Sequence, residues 1–330
     1  MAVGFVFLQE RLQCTDRLEI FRLVRTSNSM AGTQPHVGDP QDGRFQFDLM
    51  LFADGLQHDP DGVWRGRGTE SISYPATGNR DCFALEDNSF WFAHRNACLL
   101  ALLRRFPTTG PFFDIGGGNG FVAAALQSEG IPVVLVEPGA DGVRQARARG
   151  LRTVVHATLK EARFRNGSLP AIGLFDVIEH IDDEQGFLDE VRRCLTAGGR
   201  IYLSVPAGRW LWSNADVQAG HFRRYSLACL RRTLERAGFH PLFMSKIFSP
   251  LPLPLFLCRS LPSLFGRRQK PEQGYSRQHR PGGQVLLEHV WHWELARLGR
   301  GRSIPCGTSC LAVAELSFYK SKEFSNANQR

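Results

Sequence analysis

Phe112-Phe113-Asp114-Ile115-Gly116-Gly117-Gly118-Asn119-Gly120-Phe121 reads as a short apolar strand, a glycine turn and the first residue of a helix. The helix runs from Phe121 to Gln127, rich in Ala and Leu, and stops near Gly130. Ile131 to Val136 follows as a second buried strand, closed by Glu137. Strand, turn, helix, strand and acid make one βαβ unit, and the residues around its turn decide which ligand it suits.

A dinucleotide fingerprint spaces its glycines G-x-G-x-x-G/A, the last for close helix packing. Here Gly116, Gly118 and Gly120 give G-x-G-x-G, and Phe121 stands where Gly or Ala would be needed. Asp114, just before the turn, would repel a pyrophosphate seated on the helix N-terminus, yet it suits a cationic ligand carrying an ammonium and a sulfonium. Glu137 is placed to accept hydrogen bonds from ribose hydroxyls. These residues point to S-adenosyl-L-methionine as cofactor. A nicotinamide-dependent oxidoreductase is the alternative that Asp114 and Phe121 disfavour.

Asp114 to Gly120, Phe175-Asp176-Val177-Ile178-Glu179-His180-Ile181 and Leu195-Thr196-Ala197-Gly198-Gly199-Arg200-Ile201 follow one another in an order and spacing that resembles the motifs of class I S-adenosylmethionine-dependent methyltransferases. The resemblance covers roughly residues 70 to 315. In detail the chain is similar to a bacterial branch with a Ser-Phe-Trp-Phe-x-His-Arg-Asn segment, here Ser89 to Asn96, and a Gly-His-x-Arg-Arg-Tyr-Ser segment, here Gly220 to Ser226. It implies an α/β, Rossmann-like fold: a mostly parallel seven-stranded sheet with helices on both faces and a final antiparallel strand. It implies methylation, with the oxygen of a small or lipid-linked acceptor as the expected target. A catalytically weak scaffold or regulatory protein of the same fold stays open as the non-enzyme alternative. The expected cofactor-binding set is Arg95, Asp114, Gly116, Gly118, Gly120, Glu137, Thr158, Leu159 and Phe175. Relatives often place an acid after the third strand to read the adenine amino group, whereas this chain has His156-Ala157-Thr158-Leu159. Thr158 is then expected to hydrogen-bond the adenine and Leu159 to press on its ring.

With 330 residues, 43% of them apolar, the chain can bury a full core in one elaborated domain. Its net charge of +8 comes from 40 basic residues of which five are Lys. Arginine scattered along the whole length does not form a phosphate-binding stripe, so nucleic acid is disfavoured as a partner. Eight cysteines without a C-x-x-C pair argue for reduced thiols and a cytoplasmic protein, with Cys306 and Cys310 expected on one face of a strand. No apolar run has the length of a transmembrane helix.

The chain divides into a lead at 1–45, disordered or dispensable, an arm and lid helix at 46–110, a cofactor-binding core at 111–248, a helical lid insertion at 249–303, a final strand at 304–316 and a tail at 317–330. Met30 offers an alternative start. Within the insertion, Pro250, Pro252, Pro254 and Pro262 exclude a straight spanning helix. Leu287, Trp291, Leu295 and Leu298 recur at helical spacing. Two readings of this insertion stand. It is a lid packed on the core, or its apolar and cationic stretch at 248–270 makes peripheral contact with the inner membrane face.

Transfer of a methyl group to a hydroxyl needs the acceptor held near attack distance and a group to take its proton. His180, after the fourth strand, and His221, after the fifth, are the candidate bases, with Tyr225 and Arg224 to position the acceptor. A structural histidine anchoring the loop is the alternative for His180. Arg95 is expected either to reach the methionine carboxylate or to cap a helix. Asp176, Glu179 and His180 show D-x-x-E-H spacing similar to the E-x-x-E-H run of quinone-biosynthesis O-methyltransferases, where a divalent ion can assist. The primary reading is metal-free.

Overall fold

The computed structural model describes residues 48–68, 83, 86–87, 89–264 and 284–316. Expectations for the lead at 1–45, for the basic residues Arg267, Arg268 and Lys270 and for the tail fall outside the described residues.

Strands β1 (Leu56–His58), β2 (Trp64–Gly66), β3 (Phe112–Ile115), β4 (Val133–Glu137), β5 (Val154–His156), β6 (Leu169–Phe175), β7 (Leu195–Pro206), β8 (Phe239–Ile247) and β9 (Ser309–Leu316) form one sheet in the order β1-β2-β5-β4-β3-β6-β7-β9-β8. From β5 to β8 this is the expected seven-stranded sheet. β9 runs antiparallel between β7 and β8, and the pairs β3–β4, β3–β6, β4–β5 and β6–β7 are parallel. The count is nine rather than seven because residues 56–66 form a hairpin whose second strand extends the edge at β5. Short, partly polar strands such as Leu56-Gln57-His58 carry too little periodicity to be recognised without their neighbours.

Helices α1 (Phe90–Arg105), α2 (Phe121–Ser128), α3 (Ala140–Ala148), α4 (Leu159–Ala162), α5 (Glu184–Cys194), α6 (Asn214–Gln218), α7 (Leu227–Arg236), α8 (Pro252–Leu255), α9 (Leu261–Leu264) and α10 (Gln284–Gly299) surround the sheet. The period of two along each strand sorts the core into two layers. Phe113, Ile115, Val134, Val136, Ile172 and Leu174 join α5 and α7 residues on one face. Phe112, Val133, Leu135, Ala171 and Phe175 join α1, α2 and α3 residues on the other. Asp114, two residues from Phe112, and Glu137, two from Leu135, therefore share the second face.

Sequence signals account for the helix ends. Ser89 caps α1 by accepting from Trp91 N at 3.2 Å, and Ser226 caps α7 by accepting from Cys229 N at 3.1 Å. Gly238, at φ 83°, follows α7 as the expected terminator. Cys306 departs from expectation: it is exposed in the loop before β9, while Cys310 is buried on the strand. Gly307 admits this crossing because any Cβ there would sit 2.1 Å from Ile247 O.

Candidate functional site

The strand order reverses at β3, whose neighbours β4 and β6 continue in opposite directions, so the crevice beyond its C-terminal end is the natural ligand site of such a sheet. There Gly116, Gly118 and Gly120 have φ of 69°, 55° and 72°, left-handed values that only glycine adopts freely. A Cβ on Gly117 would lie 2.2 Å from Leu135 Cδ1 and 2.7 Å from Asp114 Oδ2. Glu137 braces the turn by accepting from Gly118 N at 2.8 Å and Gly139 N at 2.7 Å. A carboxylate oxygen can accept more than one hydrogen bond, the chemistry a ribose hydroxyl calls for. Glu86 and Arg149, which the motif reading passed over, hold the turn from outside. Asn119 donates to Glu86 at 3.2 Å, and Arg149 donates to Glu86 at 2.8 Å.

Asp114 is fully buried and neither of its oxygens has a hydrogen-bond partner among the described residues. Burial pushes its carboxyl up to about 7, against the pull of the Arg95 charge and with a further push from Glu137. A bare buried carboxyl costs several kcal/mol if ionised alone, so it is poised for a hydroxyl or ammonium partner.

Arg95 neither caps a helix nor lies open. Its guanidinium donates to Asp176 and sits 5.1 Å and 5.2 Å from the Trp91 and Phe92 ring centroids. Asp176 also accepts from Ser204 Oγ at 3.1 Å and holds a left-handed φ of 57° at the end of β6, a conformation that collects at functional sites. The rest of the Ser89–Asn96 segment is a junction. His94 bonds Glu294 at 2.8 Å, Asn96 donates to Phe121 O at 3.1 Å, and Trp91 stacks on Phe248 at 5.1 Å.

Both residues expected at the adenine are engaged within the fold. Leu159 packs in the core layer on the sheet face opposite Asp114, so its side chain does not converge with the turn. Thr158 caps α4, accepting from Glu161 N at 3.1 Å in a capping box. Phe175 is stacked on Phe112 within the second layer.

His180 and His221 do come together, their rings edge to face with centroids 4.7 Å apart. One polar atom from each of Glu179, His180 and His221 lies within 4.8 Å of the others. Asp176 is not part of this group, because Arg95 and Ser204 hold it, so the D-x-x-E-H run does not converge as a set. Burial, then the neighbouring His221, brings His180 down to about 4, which keeps it neutral near pH 7. Glu179 is fully buried, neither oxygen is hydrogen-bonded among the described residues, and burial and Asp176 raise its pKa. The His221 side chain is 17% exposed. Tyr225 does not join them. It is buried in the first core layer, its hydroxyl donating to Glu184 at 2.6 Å, and burial with that bond holds it far above the usual phenol range. Arg224 instead donates to Asp216, a residue the sequence reading missed, at 2.7 Å.

A family model described as a methyltransferase domain matches residues 91–242, which contain the glycine turn and both histidines. A probable S-adenosylmethionine-dependent methyltransferase of Mycolicibacterium smegmatis is 28% identical over 168 residues, covering 50% of this chain and 65% of that protein. One from Mycobacterium tuberculosis is 27% identical over 176 residues, covering 52% and 64%. A ubiquinone biosynthesis O-methyltransferase of Xylella fastidiosa is 24% identical over 109 residues, covering 31% and 44%. The chain thus spans under two thirds of the length of each of these relatives. Over residues 91–242 the chain thus matches a methyltransferase domain and is similar to S-adenosylmethionine-dependent methyltransferases.

Proposed function

We propose that the protein is an S-adenosylmethionine-dependent methyltransferase that methylates an oxygen of a small or lipid-linked acceptor. The observation that carries this is Asp114: a fully buried carboxyl, bare at both oxygens, beside a turn whose close approach forbids any side chain at Gly117. The residues fit the donor: Asp114 suits its ammonium or a hydroxyl, Glu137 its ribose, and Gly116 to Gly120 admit it against the backbone.

When bound, that cofactor supplies a methyl group on a positively charged sulfur, which leaves as a neutral thioether. The chain's own part is placement and proton removal. His221 would take the acceptor's hydroxyl proton, leaving that oxygen ready for the methyl group the bound cofactor would supply. His180, neutral beside it, adds no opposing charge. Titration calorimetry with S-adenosylhomocysteine and with NAD tests the donor, and methyl transfer into extracts with Asp114→Ala as control tests turnover. Binding of NAD in place of S-adenosylhomocysteine would overturn this reading. Donor binding without transfer would leave the scaffold.

Support for a lipid-linked acceptor, and for peripheral membrane contact through 248–270, comes from an exposed apolar crest. Trp210, Leu253 and Leu257 are 55%, 65% and 51% exposed, and Trp210 packs on Phe256 with ring centroids 5.5 Å apart. The sequence has no acidic residue between Glu235 and Glu272. An apolar crest on a stretch of chain whose charged residues are all basic suits an anionic bilayer surface. No helix among the described residues is long and apolar enough to cross a membrane. Sedimentation with phosphatidylglycerol-containing vesicles but not with pure phosphatidylcholine ones is expected, and Leu253→Asp with Leu257→Asp should abolish it. Equal recovery in the supernatant with both vesicle types would remove the membrane from this proposal.

A further inference from the structure

Asp216 sits on α6, one turn of chain before the histidine loop, and is 1% exposed. Its Oδ1 faces His221 Nδ1 at 3.0 Å and accepts from Arg224 Nε at 2.7 Å. Its Oδ2 accepts from Ser213 N at 2.9 Å and Ser213 Oγ at 3.2 Å. We propose that Asp216 is the positioning residue for His221: it fixes the imidazole as the Nδ1–H tautomer and so leaves the Nε2 lone pair to take the acceptor's proton. This rests on the methyl-transfer reading above and names the group that prepares its base.

Four partners satisfy the Asp216 carboxylate, and an ionised carboxylate has no proton to give. The proton in the His221–Asp216 contact therefore belongs to the imidazole, which donates from Nδ1. A neutral ring with Nδ1–H keeps its basic lone pair on Nε2. Burial pushes Asp216 upward, but the bonds from His221 and Arg224 outweigh it and hold its pKa below the ordinary value.

The backbone repeats the instruction. His221 N donates to Asp216 O at 2.9 Å, and Gly220, at φ 76°, turns the chain so that main chain and ring of His221 meet the same residue. Phe222 N donates to Glu179 O at 2.8 Å, which ties the far end of the loop to the turn after β6. A ring held at Nδ1 and flanked by two backbone anchors cannot rotate to exchange its nitrogens. Such a pair also stabilises the imidazolium formed when the base accepts a proton, because the carboxylate's charge is already in place. The charged or titratable groups facing His221 are Asp216 from α6, Arg224 from its own loop, and Glu179 and His180 from the turn after β6. Among the described residues, Asp216 is the one that bonds its ring.

The full chain, labelled with nitrogen-15 at histidine, tests the assignment without any acceptor. Long-range proton–nitrogen correlation at pH 8, with His221→Gln to identify the signals, should show Nδ1 protonated and Nε2 bare. In Asp216→Ala the ring should revert to the Nε2–H form that free imidazole side chains prefer. Ser213→Ala, which breaks the same cap but leaves the carboxylate, should keep the wild-type tautomer. A wild-type His221 with its proton on Nε2, or an Asp216→Ala protein that keeps Nδ1–H, overturns the proposal. The wild-type spectrum decides it even if Asp216→Ala does not fold. Once an acceptor is in hand, Asp216→Ala should lower kcat by roughly 10²–10⁴ with the KM for S-adenosylmethionine within about twofold of wild type. A proportionate rise in that KM instead would mark Asp216 as a general structural support. Failure of the wild-type protein to bind S-adenosylhomocysteine would sink the functional reading and is read separately from the tautomer.

Discussion

Asp114 makes the cofactor site pH-dependent in a direction that can be worked out. Its carboxyl is raised from 3.8 to about 7, so between those values the folded protein binds a proton that the unfolded chain has released. Stability attributable to this residue is therefore greatest below about pH 4, falls as pH rises toward 7 and levels off above it. Asp114→Asn should gain stability relative to wild type across that window, as read by urea denaturation at pH 4.5, 6 and 7.5. A constant difference at all three would deny the shift. The ligand acts the opposite way, because a cationic donor needs the ionised form. Affinity for S-adenosylmethionine should rise by up to about tenfold per pH unit below 7 and flatten above, and calorimetry on Asp114→Asn should lose that slope. Gly117→Ala belongs to the same corner. Its methyl would meet Leu135 and Asp114, and overpacking of this kind costs about 1–3 kcal/mol. Donor affinity or the denaturation midpoint should fall accordingly, and an unchanged protein would mean that the turn relaxes. Asp114 and the glycines were legible in sequence because each is defined by its immediate neighbours. Tyr225 and Leu159 were not, since whether a side chain points to the crevice or to the opposite core layer depends on sheet register.

At the scale of elements, the junction of α1 with α10 depends on Glu294. This carboxylate is fully buried and accepts from His94 Nε2 at 2.8 Å, Phe248 N at 3.0 Å and Ser249 N at 2.6 Å. Burial pushes it up, yet the His94 and Ser249 bonds win and its pKa is lowered, while burial, against the pull of Glu294, lowers that of His94. Around the pair, Trp291 stacks on His94 and on Phe90 with centroids 5.0 Å and 4.8 Å apart. Glu294→Ala strands three donors at once, and with about 1–3 kcal/mol for each, softened by water entry, it should lower unfolding stability by about 2–4 kcal/mol. A loss under about 1 kcal/mol would show that α10 is not anchored here. The helical spacing of Leu287, Trp291, Leu295 and Leu298 announced the helix. Its docking partner was invisible, because His94 and Glu294 are 200 residues apart and neither carries a local signal. The β1–β2 hairpin escaped for the related reason that a three-residue strand takes its identity from the edge it pairs with.

For the molecule as a whole, binding is expected to report on folding. A ligand that occupies the crevice at β3 of the native protein alone stabilises it by about 2.7 kcal/mol at a hundredfold excess over its Kd. S-adenosylhomocysteine should therefore raise the melting temperature of wild type in a concentration-dependent way, and the shift should vanish in Asp114→Ala. A wild-type protein indifferent to it would contradict the cofactor assignment. The sequence by itself determined the sheet from β3 through β9, its final antiparallel strand and the glycine turn with an acid just before it. Period-two strands, glycine turns and capped helices are local choices that consecutive residues make together. Only the tertiary structure decided that Arg95 belongs to Asp176, that Tyr225 is core, that His180 meets His221 and that Asp216 stands behind it. Those partnerships join residues from different strand ends and loops, and no rule of spacing encodes which distant groups a folded sheet edge brings within hydrogen-bond reach.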